Sequence, residues 1–250
     1  MTPALRTQNL RKTFGGIVAA NDVSLSVAPG ARHALIGPNG AGKTTLINLL
    51  TGVLAPTSGS IFLDGAEITR TPAHQRVRRG LVRTFQINQL FRDLTPLESA
   101  ALAVSERSGS ASPFRLMGAD SAVTDEAQAL LARFGLADAS MTRTAILPYG
   151  KQRLLEIALA FACRPRVLLL DEPAAGVPQE GRREILDRIA GLPDDVTVVL
   201  IEHDMDLVFT FARTISVLVG GAVFTQGTAA EIAADPRVRK VYLGEEGADA

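Results

Sequence analysis

The chain has no tryptophan, 2 tyrosines and 1 cysteine among 250 residues, and no surplus of either charge, with 26 Lys and Arg against 26 Asp and Glu. Each scarcity excludes something. A lone Cys163 cannot form an internal disulfide, so this is not a small disulfide-stapled scaffold. Balanced charge gives no general positive field for gripping nucleic acid. No apolar run approaches the roughly 20 residues that cross a bilayer, and no charged segment followed by an apolar stretch of signal-peptide form opens the chain. These absences predict a reducing, cytoplasmic location, with any membrane role exercised through a partner. What is present is 46% hydrophobic residues, enough for a large core in one domain with a smaller subdomain beside it.

Short β-type runs at residues 31–36, 81–85, 167–170, 196–201 and 216–219 alternate with helical patterns, which predicts an α/β fold with a largely parallel central sheet. The runs 167–170 and 196–201 are apolar almost throughout, as strands covered on both faces should be. Asp64-Gly65 after residues 60–63, and Gly220-Gly221 after 216–219, signal turns between antiparallel strands and so an antiparallel edge or side sheet. Residues 87–147 read differently, with helical candidates at 96–104 and 125–134 around a loop-like 105–112. The expectation is a single domain, 1–250, with a core at about 1–90 and 160–250 and an inserted helical subdomain at about 91–159. No repeat with a period of 20–50 residues is evident.

The strongest motif is Gly37-Pro38-Asn39-Gly40-Ala41-Gly42-Lys43-Thr44, followed by Thr45, between a predicted strand and a predicted helix at 44–50. Glycines let backbone N–H groups curl around a polyphosphate, and the helix N-terminus adds positive partial charge toward it. Lys43 is then placed to meet the β- and γ-phosphates, and the Thr44 hydroxyl to ligate Mg²⁺. Downstream, Asp171 and Glu172 end a buried strand, where α/β sheets keep their ligand crevice. Asp171 reads as the metal ligand and Glu172 as the general base that takes a proton from the attacking water. His203 falls at the end of another core strand, where an imidazole can hydrogen-bond the γ-phosphate or the water. Gln86, after residues 81–85, could place an amide near Mg²⁺ in the same way. His33 and His74 lack a strand-end setting and read as ordinary surface residues, and Cys163 reads as a small core residue on a helix.

In order along the chain, the P-loop, Gln86, Leu147-Pro148-Tyr149-Gly150-Lys151-Gln152-Arg153, Asp171-Glu172 and His203 resemble the P-loop, Q-loop, signature, Walker B and H-loop of ABC ATPases. The resemblance covers nearly the whole chain. Arg83-Thr84-Phe85-Gln86, Leu155-Glu156-Ile157-Ala158, Asp171-Glu172-Pro173-Ala174-Ala175-Gly176, Glu202-His203-Asp204-Met205 and Tyr242-Leu243-Gly244-Glu245 look like an ATP-binding subunit of branched-chain amino-acid uptake systems. That resemblance implies ATP and Mg²⁺ as cofactors and Phe14 as the aromatic that stacks on adenine. It implies Tyr149, Gly150 and Lys151 as contacts to a nucleotide shared with the facing subunit. It further implies two transmembrane permeases, a related second ATPase or a second copy of this chain, and, indirectly, an extracytoplasmic binding protein, with the ATPase at the cytoplasmic face of the inner membrane and no nucleic-acid partner.

Two features depart from the general ABC pattern. In the signature, Pro148 replaces Ser and Lys151 replaces Gln, removing a hydroxyl and a backbone N–H, with Lys151 available as compensating charge. The D-loop reads Gly176-Val177-Pro178-Gln179 and lacks the usual polar side chain after its Gly-Leu pair. The rival readings are a soluble ABC ATPase acting on ribosomes or DNA, against which stands room for only one cassette, and a non-catalytic ATP-binding regulatory subunit, against which stand intact Lys43, Asp171, Glu172 and His203. A GTPase would want an Asn-Lys-x-Asp base reader, which is absent.

Overall fold

The computed structural model describes residues 2–84, 90–109 and 121–243. The chain opens with β1 (Leu5–Phe14), β2 (Ile17–Val23), β3 (Ser26–Val27) and β4 (Arg32–Ile36), then α1 (Lys43–Thr51), β5 (Ser58–Leu63), β6 (Ala66–Glu67), α2 (Ala73–Arg78) and β7 (Leu81–Arg83). Helices α3 (Pro96–Ser108), α4 (Ser121–Arg133) and α5 (Tyr149–Ala162) follow. The remainder is β8 (Val167–Asp171), α6 (Gln179–Ala190), β9 (Thr197–Ile201), α7 (Met205–Phe211), β10 (Thr214–Val219), β11 (Ala222–Gly227), α8 (Ala229–Ala234) and α9 (Pro236–Leu243).

The larger sheet has the order β11-β10-β4-β9-β8-β7, parallel throughout except at β11. Every residue of β4, β8 and β9 is buried, which is why β8 and β9 are apolar almost throughout, while β4 buries Arg32 and His33 with polar partners. The alternate residues of β8 and β9 serve two different cores. Val167, Leu169, Val199 and Ile201 pack with Leu46, Leu49 and Leu50 of α1 and with Leu5 of the smaller sheet. Leu168, Leu170, Val198 and Leu200 face the opposite way, onto Phe134, Leu154, Ile157 and Ile185 of the helical layer.

The smaller sheet, β2-β1-β5-β6 with β3 on β1, is antiparallel, as the turn signals predict. Asp64 and Gly65 take φ of 49° and 81° in the β5–β6 turn, and Gly220 and Gly221 take 56° and 80° between β10 and β11. Positive φ at both central residues matches the right-handed twist of the flanking strands.

Residues 105–108, read from sequence as loop, are instead the last turn of α3. The helix begins with Thr95 and Glu98 capping each other's backbone and with Pro96 in its first turn, and it ends at Gly109 with φ of 69°. The serines at 105 and 108 mislead because both are tolerated in a helix that such strong caps hold. A second correction concerns His33, which is 1% exposed in β4, between β9 and β10, rather than on the surface. Its Nε2 lies 3.0 Å from Ser216 Oγ on β10, so a neutral ring finds a polar partner inside the sheet.

Candidate functional site

Strand register decides which loops meet. Leu35 of β4 and Asp171 of β8 both pair with Ile201 of β9, and Arg83 of β7 pairs with Leu169. The residues that follow these strands, beginning at Gly37, Glu172, Glu202 and Thr84, therefore emerge along one edge of the sheet. That edge is the carboxyl end of the parallel strands, where α/β sheets bind ligands.

The loop from β4 to α1 is built for close approach. A Cβ on Gly37 would collide with the Leu218 carbonyl oxygen, and Gly42 takes φ of 97° with its backbone against the Ala19 carbonyl. Only glycine fits both demands at Gly42. The Lys43 ammonium donates to the Gly37 and Pro38 carbonyls, so it arches back over the loop that precedes it. Thr44, Asn39 and Gly40 are exposed while Ala41 is buried and Thr45 half-buried. No acidic side chain sits in the first turn of α1, so the helix itself carries no carboxylate against the positive end of its dipole.

Asp171 is nearly buried, and its Oδ2 accepts a 2.7 Å hydrogen bond from Arg83 Nη2. Burial raises its carboxyl above the ordinary range, while Arg83 and, more weakly, the Lys43 charge draw it back. Glu172 takes φ of 46°, a left-handed conformation that is costly for a non-glycine residue and concentrates at functional sites. That turn brings Glu172 Oε1 within 3.4 Å of Nδ1 of the well-exposed His203. Beneath them Glu202, 3% exposed, accepts the His203 backbone N–H at 3.2 Å, and burial pushes its carboxyl upward.

Phe14 ends β1, 47% exposed, with the Lys12 ammonium 5.0 Å from its ring centre. Tyr149, Gly150 and Lys151 form the first turn of α5, with Pro148 at the cap position offering no side-chain acceptor. A Cβ on Gly176 would lie 3.3 Å from the Tyr149 ring, so the tyrosine covers that turn closely. Lys151 Nζ donates to the Gly135 carbonyl at 2.8 Å and to Glu184 Oε1 at 3.1 Å, so in this chain its charge is directed to α6. Gln86 lies outside the described residues. Sequence reading missed the Arg83 pairing and Glu202. The first was legible only as a cation two strand positions from an acidic motif once β7 and β8 were known to be neighbours.

A P-loop opening a helix, with an Asp-Glu pair and a histidine at adjoining strand ends, defines a P-loop ATPase. The ABC transporter family model matches residues 20–175, and a model described as branched-chain amino acid ATP-binding cassette transporter matches 223–248. The chain is 39% identical to LivG of Escherichia coli and 41% identical to BraF of Pseudomonas aeruginosa, each match covering 97% of this chain and 98% of the relative. Both are high-affinity branched-chain amino acid transport ATP-binding proteins. The crystal structure of an ABC transporter's ATP-binding cassette in its ADP conformation superimposes with a TM-score of 0.86 at 30% identity, covering 98% of this chain and all of that one. The chain belongs to the ABC transporter family, as an ATP-binding and ATP-hydrolysing subunit.

Proposed function

We propose that this ATPase energises import of branched-chain or related amino acids, seated at the cytoplasmic face of the membrane on two permease subunits. Among the described residues no helix is long and apolar enough to cross a membrane, so the permeases would supply the passage. A related second ATPase, or a second copy of this chain, would face it head to tail, and an extracytoplasmic binding protein would deliver cargo. The helical layer around 91–159 would be the part that moves against the core. In such a pair Tyr149, Gly150 and Lys151 serve the nucleotide held by the partner, Lys151 by exchanging Glu184 for phosphate, and Phe14 stacks on adenine.

The residues here suit Mg²⁺. The Thr44 hydroxyl and the Asp171 carboxylate are hard oxygen donors, and Gln86 would add an amide oxygen. Among the described residues no group of three or more His, Cys, Asp or Glu side chains could hold a metal unaided. A cation carried by one carboxylate, a hydroxyl and phosphate oxygens is the pattern Mg²⁺ prefers. Bound there, it would neutralise charge on the phosphates. Glu172 would take the proton of the attacking water, Lys43 would hold the γ-phosphate, and His203 would bridge Glu172 and that phosphate.

The observation that carries this reading is the convergence of Lys43, Asp171, Glu172 and His203 on one sheet edge, with Glu172 and His203 3.4 Å apart. Its test has two arms. Calorimetry with Mg-ATP should show binding by the wild-type chain and none by Lys43→Ala; equal affinities would remove the proposed site. Vesicles holding the assembled transporter should accumulate labelled leucine, isoleucine or valine, or a related amino acid, on ATP addition, and failure across the twenty standard amino acids while ATP is hydrolysed would refute the cargo class.

A further inference from the structure

Arg83 is a buried cation that the catalytic reading leaves without a task. Its side chain is 11% exposed and that of Asp171 5% exposed. One arm of the guanidinium, Nη2, donates to Asp171 Oδ2 at 2.7 Å, and the other, Nη1, donates to Asn48 Oδ1 at 2.6 Å. The backbone explains how three distant residues meet. Arg83 pairs with Leu169 in the parallel β7–β8 ladder, and Asp171 lies two positions on, so both project from the same face of the sheet. That face is the one α1 covers. On α1, Asn48 is four residues after Thr44, which puts the two on one side of the helix a single turn apart.

We infer that Arg83 is a positioning residue for the metal site, clamping the Asp171 carboxylate to the α1 face that carries Thr44 so that the two oxygen ligands are held at fixed separation. The inference rests on the proposed Mg²⁺ role of Asp171 and Thr44. A carboxylate has two oxygens, and with Oδ2 committed to Arg83 the side chain cannot rotate freely, which leaves Oδ1 to the cation. The planar fork of a guanidinium can hold two acceptors in a defined geometry, whereas an ammonium is a point charge on a flexible stem. Outer partners that orient a ligating side chain commonly matter about 10–100-fold in metal affinity. Arg83 also precedes Gln86 by three residues in the chain, so the same clamp ties the strand leading to that glutamine to the P-loop helix.

The experiment measures binding rather than turnover. ADP affinity is determined by calorimetry in EDTA and across a Mg²⁺ titration, for wild type, Arg83→Gln, Arg83→Lys, Asn48→Ala and Asp171→Asn. For Arg83→Gln the apparent Mg²⁺ affinity of the ADP complex should fall about 10–100-fold while ADP affinity in EDTA stays at the wild-type value. Arg83→Lys, which keeps the charge, and Asn48→Ala, which cuts only the arm to α1, should fall between wild type and Arg83→Gln. Unchanged or tighter Mg²⁺ binding in Arg83→Gln, with Asp171→Asn impaired, would overturn the clamp and leave the metal site standing. Wild-type binding that ignores Mg²⁺, or an Asp171→Asn chain indistinguishable from wild type, would instead overturn the metal reading beneath it. Should Arg83→Gln not fold, the Lys and Asn48 variants decide: wild-type Mg²⁺ affinity in both refutes the clamp.

Discussion

Acid should weaken the native state through one histidine. His33 sits in β4 with β9 on one side and β10 on the other, 1% exposed, its Nε2 against Ser216 Oγ. Burial lowers its pKa from 6.5 to about 4. The unfolded chain takes up this proton near pH 6.5 and the folded chain resists it to about pH 4, so between these values the unfolded state holds more protons. The contribution is fully present above pH 6.5 and is lost as the pH falls. Integrating that difference in proton binding, the loss reaches about 2 kcal/mol at pH 5 and about 3 kcal/mol near pH 4. Carboxylates titrate in the same interval, so wild type must be compared with His33→Gln, which keeps a polar group facing Ser216 and cannot take up the proton. The assay is urea denaturation at pH 7 and pH 5. Wild type should lose about 2 kcal/mol more than the variant between the two. Equal losses would mean that the ring is not held neutral and that its burial does not resist protonation.

Other expectations concern the site and its support. Glu172→Gln should retain ATP binding while steady-state phosphate release falls about 10²–10⁴-fold, since the amide keeps the shape but cannot accept the water's proton; release at the wild-type rate would remove Glu172 as the base. Arg76 is 2% exposed and donates to the carbonyls of Leu49, Leu50, Thr69 and Thr71, so it caps the C-terminal end of the P-loop helix. Arg76→Met removes the donor that these carbonyls share, with Leu49 keeping the Gly52 backbone N–H, and should cost about 3 kcal/mol in urea denaturation. A loss under about 1 kcal/mol would show that water satisfies the helix end instead.

The candidate site is legible in the sequence to the extent that its proposed chemistry is carried by contiguous residues. Gly37–Thr44 states much of its own geometry, because Gly40 and Gly42 answer a local demand for positive φ and the lysine and threonine follow at fixed steps along a helix, whereas the carbonyl that crowds Gly37 comes from distant Leu218. Apolar runs ending in Asp171-Glu172 and in His203 likewise announce buried strands that stop at a polar edge, and the turn glycines announce the antiparallel sheet. His33 was misread for the complementary reason. A single polar residue in a strand says nothing about which neighbour will face it, and Ser216 lies 183 positions away in sequence. The same holds for Arg83, whose partners Asp171 and Asn48 come from another strand and another helix, 88 and 35 positions distant. Local sequence sets backbone conformation and which groups can react, because those depend on neighbours along the chain. Which buried polar group meets which, and so how the reactive groups are held and what their acidity becomes, was decided only by strand order and register, which bring distant segments to within a hydrogen bond.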